Sequence, residues 1–327
     1  IHTTFTCEPE FLKEVRRIAT EVGSGIHLHL EEGAYETMHA LVKYRKLPIQ
    51  LYEEIGFLGP DVLAAQCVHT RPEEVEIMRR RDVKVSHEPL SNCEVGGGIA
   101  RVPEMLEAGL TVGLGTDGYV TDEFEVMRAA FLIHKGRLQD PTVMPADVVF
   151  EMATVNNAKA LGMERVIGSI EPGKKADLIL VDLKRPHLQP IYDLVNTLVY
   201  CARGSDVVTT IVDGRMIVRD GRLLTIDEEQ VLEKAQEIAR SLSPWEPYVQ
   251  RYSKEYGVDP DLVRAIIYAE SKGDPYRISK DGAIGLMQIM PSTANSLGFD
   301  NLLDPEENIK AGVMYIAWLV KNYGEEY

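Results

Sequence analysis

Several features common in chains of this size are scarce or missing. The 327 residues hold only four cysteines, Cys7, Cys67, Cys93 and Cys201, at long intervals, with no CxxC pair and none in the last third. That argues against a disulfide framework and favours a reduced compartment. No apolar run reaches the length needed to cross a bilayer. No leader peptide is visible, and the chain opens on Ile1 rather than Met. Positive charge is short: 35 Lys and Arg stand against 51 Asp and Glu, a net charge of −16. Phosphate binding needs clustered Lys and Arg, so a nucleic-acid partner is not expected. The plain reading of the acidity is solubility. Internal repeats and low-complexity segments are absent too.

What is present falls into three parts, with predicted boundaries of 1–165, 166–242 and 243–327. In the first, short apolar runs (23–32, 62–70, 83–92 and 110–118) alternate with helix-like stretches (9–22, 35–45, 72–81 and 102–109). Nearly all-apolar runs ending in polar turns are how strands look when helices cover both faces. After Gly168 the pattern changes. A Gly-Lys-Lys turn feeds the run 176–183, and Asp213-Gly214 and Asp220-Gly221 punctuate two further β-runs. Asp-Gly between such runs signals hairpins. A helix is expected over 227–242, and Pro244 and Pro247 mark the junction to a wholly helical remainder.

Two groups of residues carry chemistry. His27 and His29 share one strand face, Glu32 follows where the strand yields to a loop, and Asp117 closes a small apolar strand. Imidazole and carboxylate suit Zn²⁺ or another borderline divalent ion, and the bound water could then serve as nucleophile. Strand-end His and Asp serve equally well to bind backbone groups and fix loops. The second group centres on Glu270, at the end of the apolar helix LVRAIIYAE and before a Gly-rich turn. Desolvation there would suit a general acid, although a Glu at a helix end is more commonly a solvated surface residue.

The motifs TC-x-PE (6–10), IHLHLEE (26–32), CVH (67–69), VSHEPLSN (85–92), GGGIARVPEMLEAGLTVGLGTDG (96–118) and IGSIEPGKKADLILVDLKRPH (167–187) resemble the amidohydrolase superfamily, nearest its methylthioadenosine/S-adenosylhomocysteine deaminase branch. The resemblance implies a partial (β/α)₈ barrel with a small β-sandwich remnant and a divalent metal. It makes His29 and Asp117 metal ligands and Glu32 a proton shuttle. Asp117 also accepts a proton, and His2 and His87 contact an adenine-type nucleoside. Two departures point to an impaired site. The family's first-strand His-x-His pair would lie before Ile1, and Gln66 stands where the family has an active-centre His. His69, three residues later, matches a second His of the family and does not replace it. Glu88 replaces the Asn of the family's Ser-His-Asn-Pro stretch.

AIIYAESKGDPYRISKDGAIGLMQIMPSTANSLG (265–298) resembles the Slt-type lytic transglycosylases, relatives of goose-type lysozyme, which implies an all-α lysozyme-like domain. In that family one Glu cleaves the bond between N-acetylmuramic acid and N-acetylglucosamine in peptidoglycan glycan strands. Glu270 would be that residue, Met287 and Gln288 would line the sugar groove, and Ser279 and Tyr276 would support it. The family's groove-closing Ala-Tyr-Asn-Ala-Gly run would follow Tyr327, so weak activity is expected. The whole reads as a fragmentary composite. Its deaminase-like part is expected in the bacterial cytoplasm and its wall-active part in the periplasm or cell envelope. A zinc-dependent deaminase with an accessory helical domain, and a non-catalytic barrel scaffold that binds a partner, stay open, as does the oligomeric state.

Overall fold

A computed structural model describes residues 1–118 and 120–323. The chain divides into two compact units, Ile1–Leu224 and Thr225–Tyr327.

The first unit is built on four parallel strands in sequential order, β1 (Ile26–Leu30), β2 (Val62–Gln66), β3 (Lys84–His87) and β4 (Val112–Leu114). Leu28 pairs with Ala64, Ala64 with Val85 and Val85 with Val112. Helices Pro9–Val22, Ala34–Tyr44, Pro48–Glu54, Pro72–Arg81 and Val102–Glu107 lie between or before them. This is the (β/α) alternation of a partial barrel. Val62, Ala64, Ala65 and Gln66 are all buried, as are Val112 and Leu114. The apolar run over 83–92 is not one strand. It stops at His87, and Pro89, whose fixed φ suits a first helical position, starts the helix Pro89–Glu94.

A second sheet, antiparallel and in the order β5 (Leu178–Val181), β6 (Val207–Val212), β7 (Arg215–Arg219) and β8 (Arg222–Leu223), completes this unit. Both Asp-Gly pairs sit in left-handed backbone, Asp213 at φ 49° and Gly214 at 75°, Asp220 at 49° and Gly221 at 73°. Two successive positive φ values give the turn whose twist matches its strands. This small sheet stands where the sandwich remnant was expected.

The second unit is helical: Glu228–Leu242, Glu246–Tyr256, Pro260–Ser271, Pro291–Leu297 and Pro305–Tyr323. Val249, Val263, Ile267, Leu286, Ile309 and Val313 form its core. The helix Glu228–Leu242 groups with this unit rather than with the small sheet, which moves the boundary from 242 to 224. Pro244 opens a single 3₁₀ turn and Pro247 occupies a first helical turn, where a missing N–H is harmless, so neither separates the helices they join. Trp245 Nε1 donates to the Gly273 carbonyl at 3.0 Å. A Cβ on Gly273, whose φ is +83°, would lie 2.4 Å from the Ser241 carbonyl oxygen. Gly273→Ala is therefore expected to destabilise the second unit by about 2 kcal/mol or more, through left-handed strain and a backbone clash. A lowered denaturation midpoint would show it, and an unchanged midpoint would refute the contact.

Candidate functional sites

Strand ends of the first unit meet around a cavity of about 530 Å³, lined by His27, His29, Ser86, Glu88, Gly115 and Asp117 among others. Just past or at the strand ends, Glu31, Gln66, Cys67 and Asp117 all hold positive φ, between 51° and 76°. Non-glycine residues rarely adopt that conformation, and strain of this kind gathers at functional sites. Asp117 is the most heavily bonded of them. Its Oδ2 accepts from Gln66 Nε2 at 3.1 Å and from Ser91 Oγ at 2.7 Å, and its Oδ1 accepts from the Gly118 N–H at 2.6 Å. The Ser91 hydroxyl is the main cause that holds this carboxyl below the usual range.

His29 lies edge-on to His2, ring centroids 5.2 Å apart, and its N–H donates to the His2 carbonyl at 3.2 Å. Its Nδ1 is buried without a hydrogen-bond partner among the described residues. His2 Nδ1 meets Thr6 Oγ1 at 2.9 Å. Glu32 lies within electrostatic reach of His2 and of Glu88. His69 is tied to the Glu31 carbonyl through its backbone N–H at 2.9 Å.

His87 is placed elsewhere than the sequence suggested. It is fully buried, its Nε2 3.1 Å from Nε2 of buried His134, and it does not line the cavity. Burial first, then the neighbouring imidazole, hold it well below the usual His range. Alternation along β3 explains the placement: Ser86 and Glu88 face the cavity, so His87 between them faces the core. Ser86 Oγ donates to Glu88 Oε1 at 3.0 Å. Burial, helped by the charge on Asp117, pushes Glu88 up to about 7 despite that bond. Ser86 and Ser91 were not singled out from sequence, although the two-residue spacing of Ser86 and Glu88 was a signal for a shared face.

In the second unit, Glu270 is exposed on the last turn of Pro260–Ser271, a helix anchored by buried Val263, Ile267 and Ser271. Glu270 is the solvated helix-end residue that the sequence made the commoner case, because the apolar residues face the core and Glu270 faces water. The loop that follows is closely pinned. Ser279 and Ala283 exchange bonds, Ser279 N to Ala283 O at 2.9 Å and Ala283 N to Ser279 Oγ at 2.9 Å. Gln288 Nε2 donates to the Arg277 carbonyl at 2.9 Å and to the Gly285 carbonyl at 2.8 Å. Buried Asn308 accepts from the Met287 N–H at 2.8 Å and donates to the carbonyls of Ile284 and Leu302 at 2.8 and 2.9 Å. Met287 is itself buried against Gly312, where a Cβ would lie 2.3 Å from its Sδ. It supports the loop from beneath instead of lining an open groove. Tyr276 is 70% exposed.

Residues 1–217, more than half of the chain, match the amidohydrolase family. The chain belongs to that family. Residues 247–327 match the transglycosylase SLT domain. The chain is 48% identical over 245 residues to a 5'-deoxyadenosine deaminase of Methanosarcina acetivorans, covering 74% of this chain and 56% of that protein. It is 43% identical over 246 residues to a 5-methylthioadenosine/S-adenosylhomocysteine deaminase of Syntrophomonas wolfei, covering 74% and 57%. Among solved structures it is similar to an adenosine deaminase of Xanthomonas campestris with bound zinc, with a TM-score of 0.70 and 27% identity over 72% of this chain and 54% of that one. The chain thus spans about half the length of the curated relatives it matches. Among the described residues, no helix is long and apolar enough to cross a membrane.

The residues of this amidohydrolase unit do not by themselves fit a zinc ion. A catalytic zinc takes three protein ligands. Among the described residues, no group of three or more His, Cys, Asp or Glu is disposed to hold a metal. His29 and Asp117 are two candidates, and both Asp117 oxygens already accept protein donors.

Beside this face lies a second set of carboxyls. Glu31, Glu36 and Glu74 are all buried. Burial, then the charges of Glu74 and Glu36, push Glu31 from the ordinary 4.5 up to about 9. The folded protein therefore keeps a proton on Glu31 that the unfolded chain releases, and stability falls as pH rises from about 4.5 toward 9. Glu31→Gln, which removes the titration, is expected to be more stable than the parent by about 1–3 kcal/mol at alkaline pH. That advantage should close under mildly acid conditions. Urea unfolding at the two pH values checks it, and a gap that does not change with pH would contradict it.

Proposed function

We propose that the chain is a composite of two units. The transglycosylase unit carries the working chemistry, and the amidohydrolase unit is an impaired deaminase of adenine-type nucleosides. The bond from Gln66 to Asp117 supports the second half of this reading. Gln66 occupies the position of the family's active-centre His, and an amide hydrogen-bonds but does not accept a proton near neutrality. No base stands there to work with Asp117. The full chain is expected to release no measurable ammonia from adenosine-type substrates with zinc added. Gln66→His alone should not restore release, because the ligand set stays short. Robust turnover by the parent would sink this half.

For the transglycosylase unit the supporting observation is Glu270, held at the end of a rigid helix and followed by the loop that Gln288 and Asn308 pin. A positioned carboxyl beside a fixed loop is what a single-acid glycan cleavage requires. Glu270 would protonate the glycosidic oxygen between N-acetylmuramic acid and N-acetylglucosamine. As carboxylate it would then take the proton of the muramoyl 6-hydroxyl, which closes a 1,6-anhydro ring. The substrate acetamido group would assist, so a second carboxylate is not needed, unlike the paired arrangement. Water reaches Glu270 in the free protein, so its desolvation has to arrive with the glycan. Slow release of 1,6-anhydro muropeptides from purified peptidoglycan is expected, and Glu270→Gln should reduce it at least about 100-fold. Release unaffected by that substitution would remove Glu270 from its role.

A further inference from the structure

Residues 218–246 fall outside both family matches, yet their last part is built into the second unit. Leu242 and Trp245 pack against its core. Trp245, which closes the 3₁₀ turn Ser243–Trp245, gives its indole N–H to the Gly273 carbonyl at 3.0 Å. The next residue grips the same helix nearer its start. Arg264 Nε donates to Glu246 Oε2 at 3.0 Å, and Arg264 Nη2 donates to Glu246 Oε1. Such two-point pairing fixes orientation as well as distance. The helix Pro260–Ser271, which carries Glu270, is thus held in its second turn and just beyond its end by two adjacent residues of the joining segment.

The far end decides where Glu270 sits. A last helical turn frays unless its carbonyls and the chain that leaves it find partners. Here Ser271 Oγ donates to the Ile267 carbonyl at 2.9 Å and accepts from the Gly273 N–H at 3.2 Å. Lys272, at φ 59°, donates its N–H to the Tyr268 carbonyl at 3.1 Å. These bonds join residues close along the chain, so they can open together as the turn opens. Trp245 and Ser241 come from outside the helix and oppose that opening. Gly273 lies against the Ser241 carbonyl with no room for a Cβ, and its own carbonyl is taken by Trp245.

We infer that Trp245 is a positioning residue for Glu270, and that the segment 241–246 clamps the helix end that carries it. This role rests on the reading of Glu270 as the acid, and it adds to the machinery a segment that neither family match covers. A reacting group misplaced by about 1 Å costs roughly 100-fold in rate, so loosening the turn lowers kcat and leaves KM nearly alone.

Trp245→Phe in the full chain tests it, since it keeps an aromatic ring and deletes the N–H. Amide exchange at Ser271, Lys272 and Gly273 is expected to quicken at least about fivefold, while the loop 284–289 stays within about twofold of the parent. On soluble glycan strands, kcat for anhydro-muropeptide release should fall about tenfold or more, with KM within about twofold. Val313→Ala, a core change elsewhere in the unit, is the control: it lowers the melting midpoint without that local pattern of exchange. Should Trp245→Phe not fold, benzothienylalanine at position 245, an indole-shaped ring without the N–H, takes its place. Unchanged exchange at Ser271 to Gly273 overturns the inference, as does a rise spread evenly over the unit or a loss confined to KM. A parent that releases no muropeptide overturns the proposed chemistry instead, and the exchange pattern then decides the clamp by itself.

Discussion

The carboxylate of Asp117 organises the amidohydrolase face. It takes a donor from Gln66 at the end of β2, one from Ser91 in the helix after β3, and one from its own loop at Gly118. Three consecutive strand ends are thus tied to one charged group. Charge-assisted bonds of this kind are stronger than neutral ones, and they hold Gln66 and Asp117 in left-handed backbone that neither would choose alone. The cost is chemical. A carboxylate whose oxygens are already bonded to protein is less available to a metal or a reacting proton.

The second unit solves a similar problem without charge. Asn308 also gathers three bonds, but its amide both donates and accepts, so loop carbonyls and a loop N–H are satisfied at one point. The loop beside Glu270 is therefore fixed by a neutral hub.

Much of the fold was legible because it rests on local chemistry. Apolar runs ending in polar turns marked all four parallel strands, and the two Asp-Gly pairs marked both hairpins, since few other residues accept the backbone those turns need. Position along the chain revealed less where tertiary contacts decide. Pro244 and Pro247 read as breaks but lie where a helix tolerates them. The helix Glu228–Leu242 went to the unit it packs against, through Ser241 and Gly273, which no pattern in its own sequence reveals. His29 and Asp117, expected from strand ends and motif, both line the cavity. His87 was misplaced because motif resemblance outweighed the two-residue alternation that turns it inward to His134. The exposure of Glu270 follows the commoner behaviour of a helix-end glutamate: an apolar helix says that one face is buried, not which side its last glutamate takes.

The Gln66 bond to Asp117 has one more consequence, at the level of the gene. Codons for glutamine and histidine differ only in their third base, so this position lies a single nucleotide change from the residue of the wider family. Either side chain carries an N–H able to serve Asp117, so the strand ends need not come apart when the base changes. Glu88 is different, because two bases separate its codons from those of asparagine.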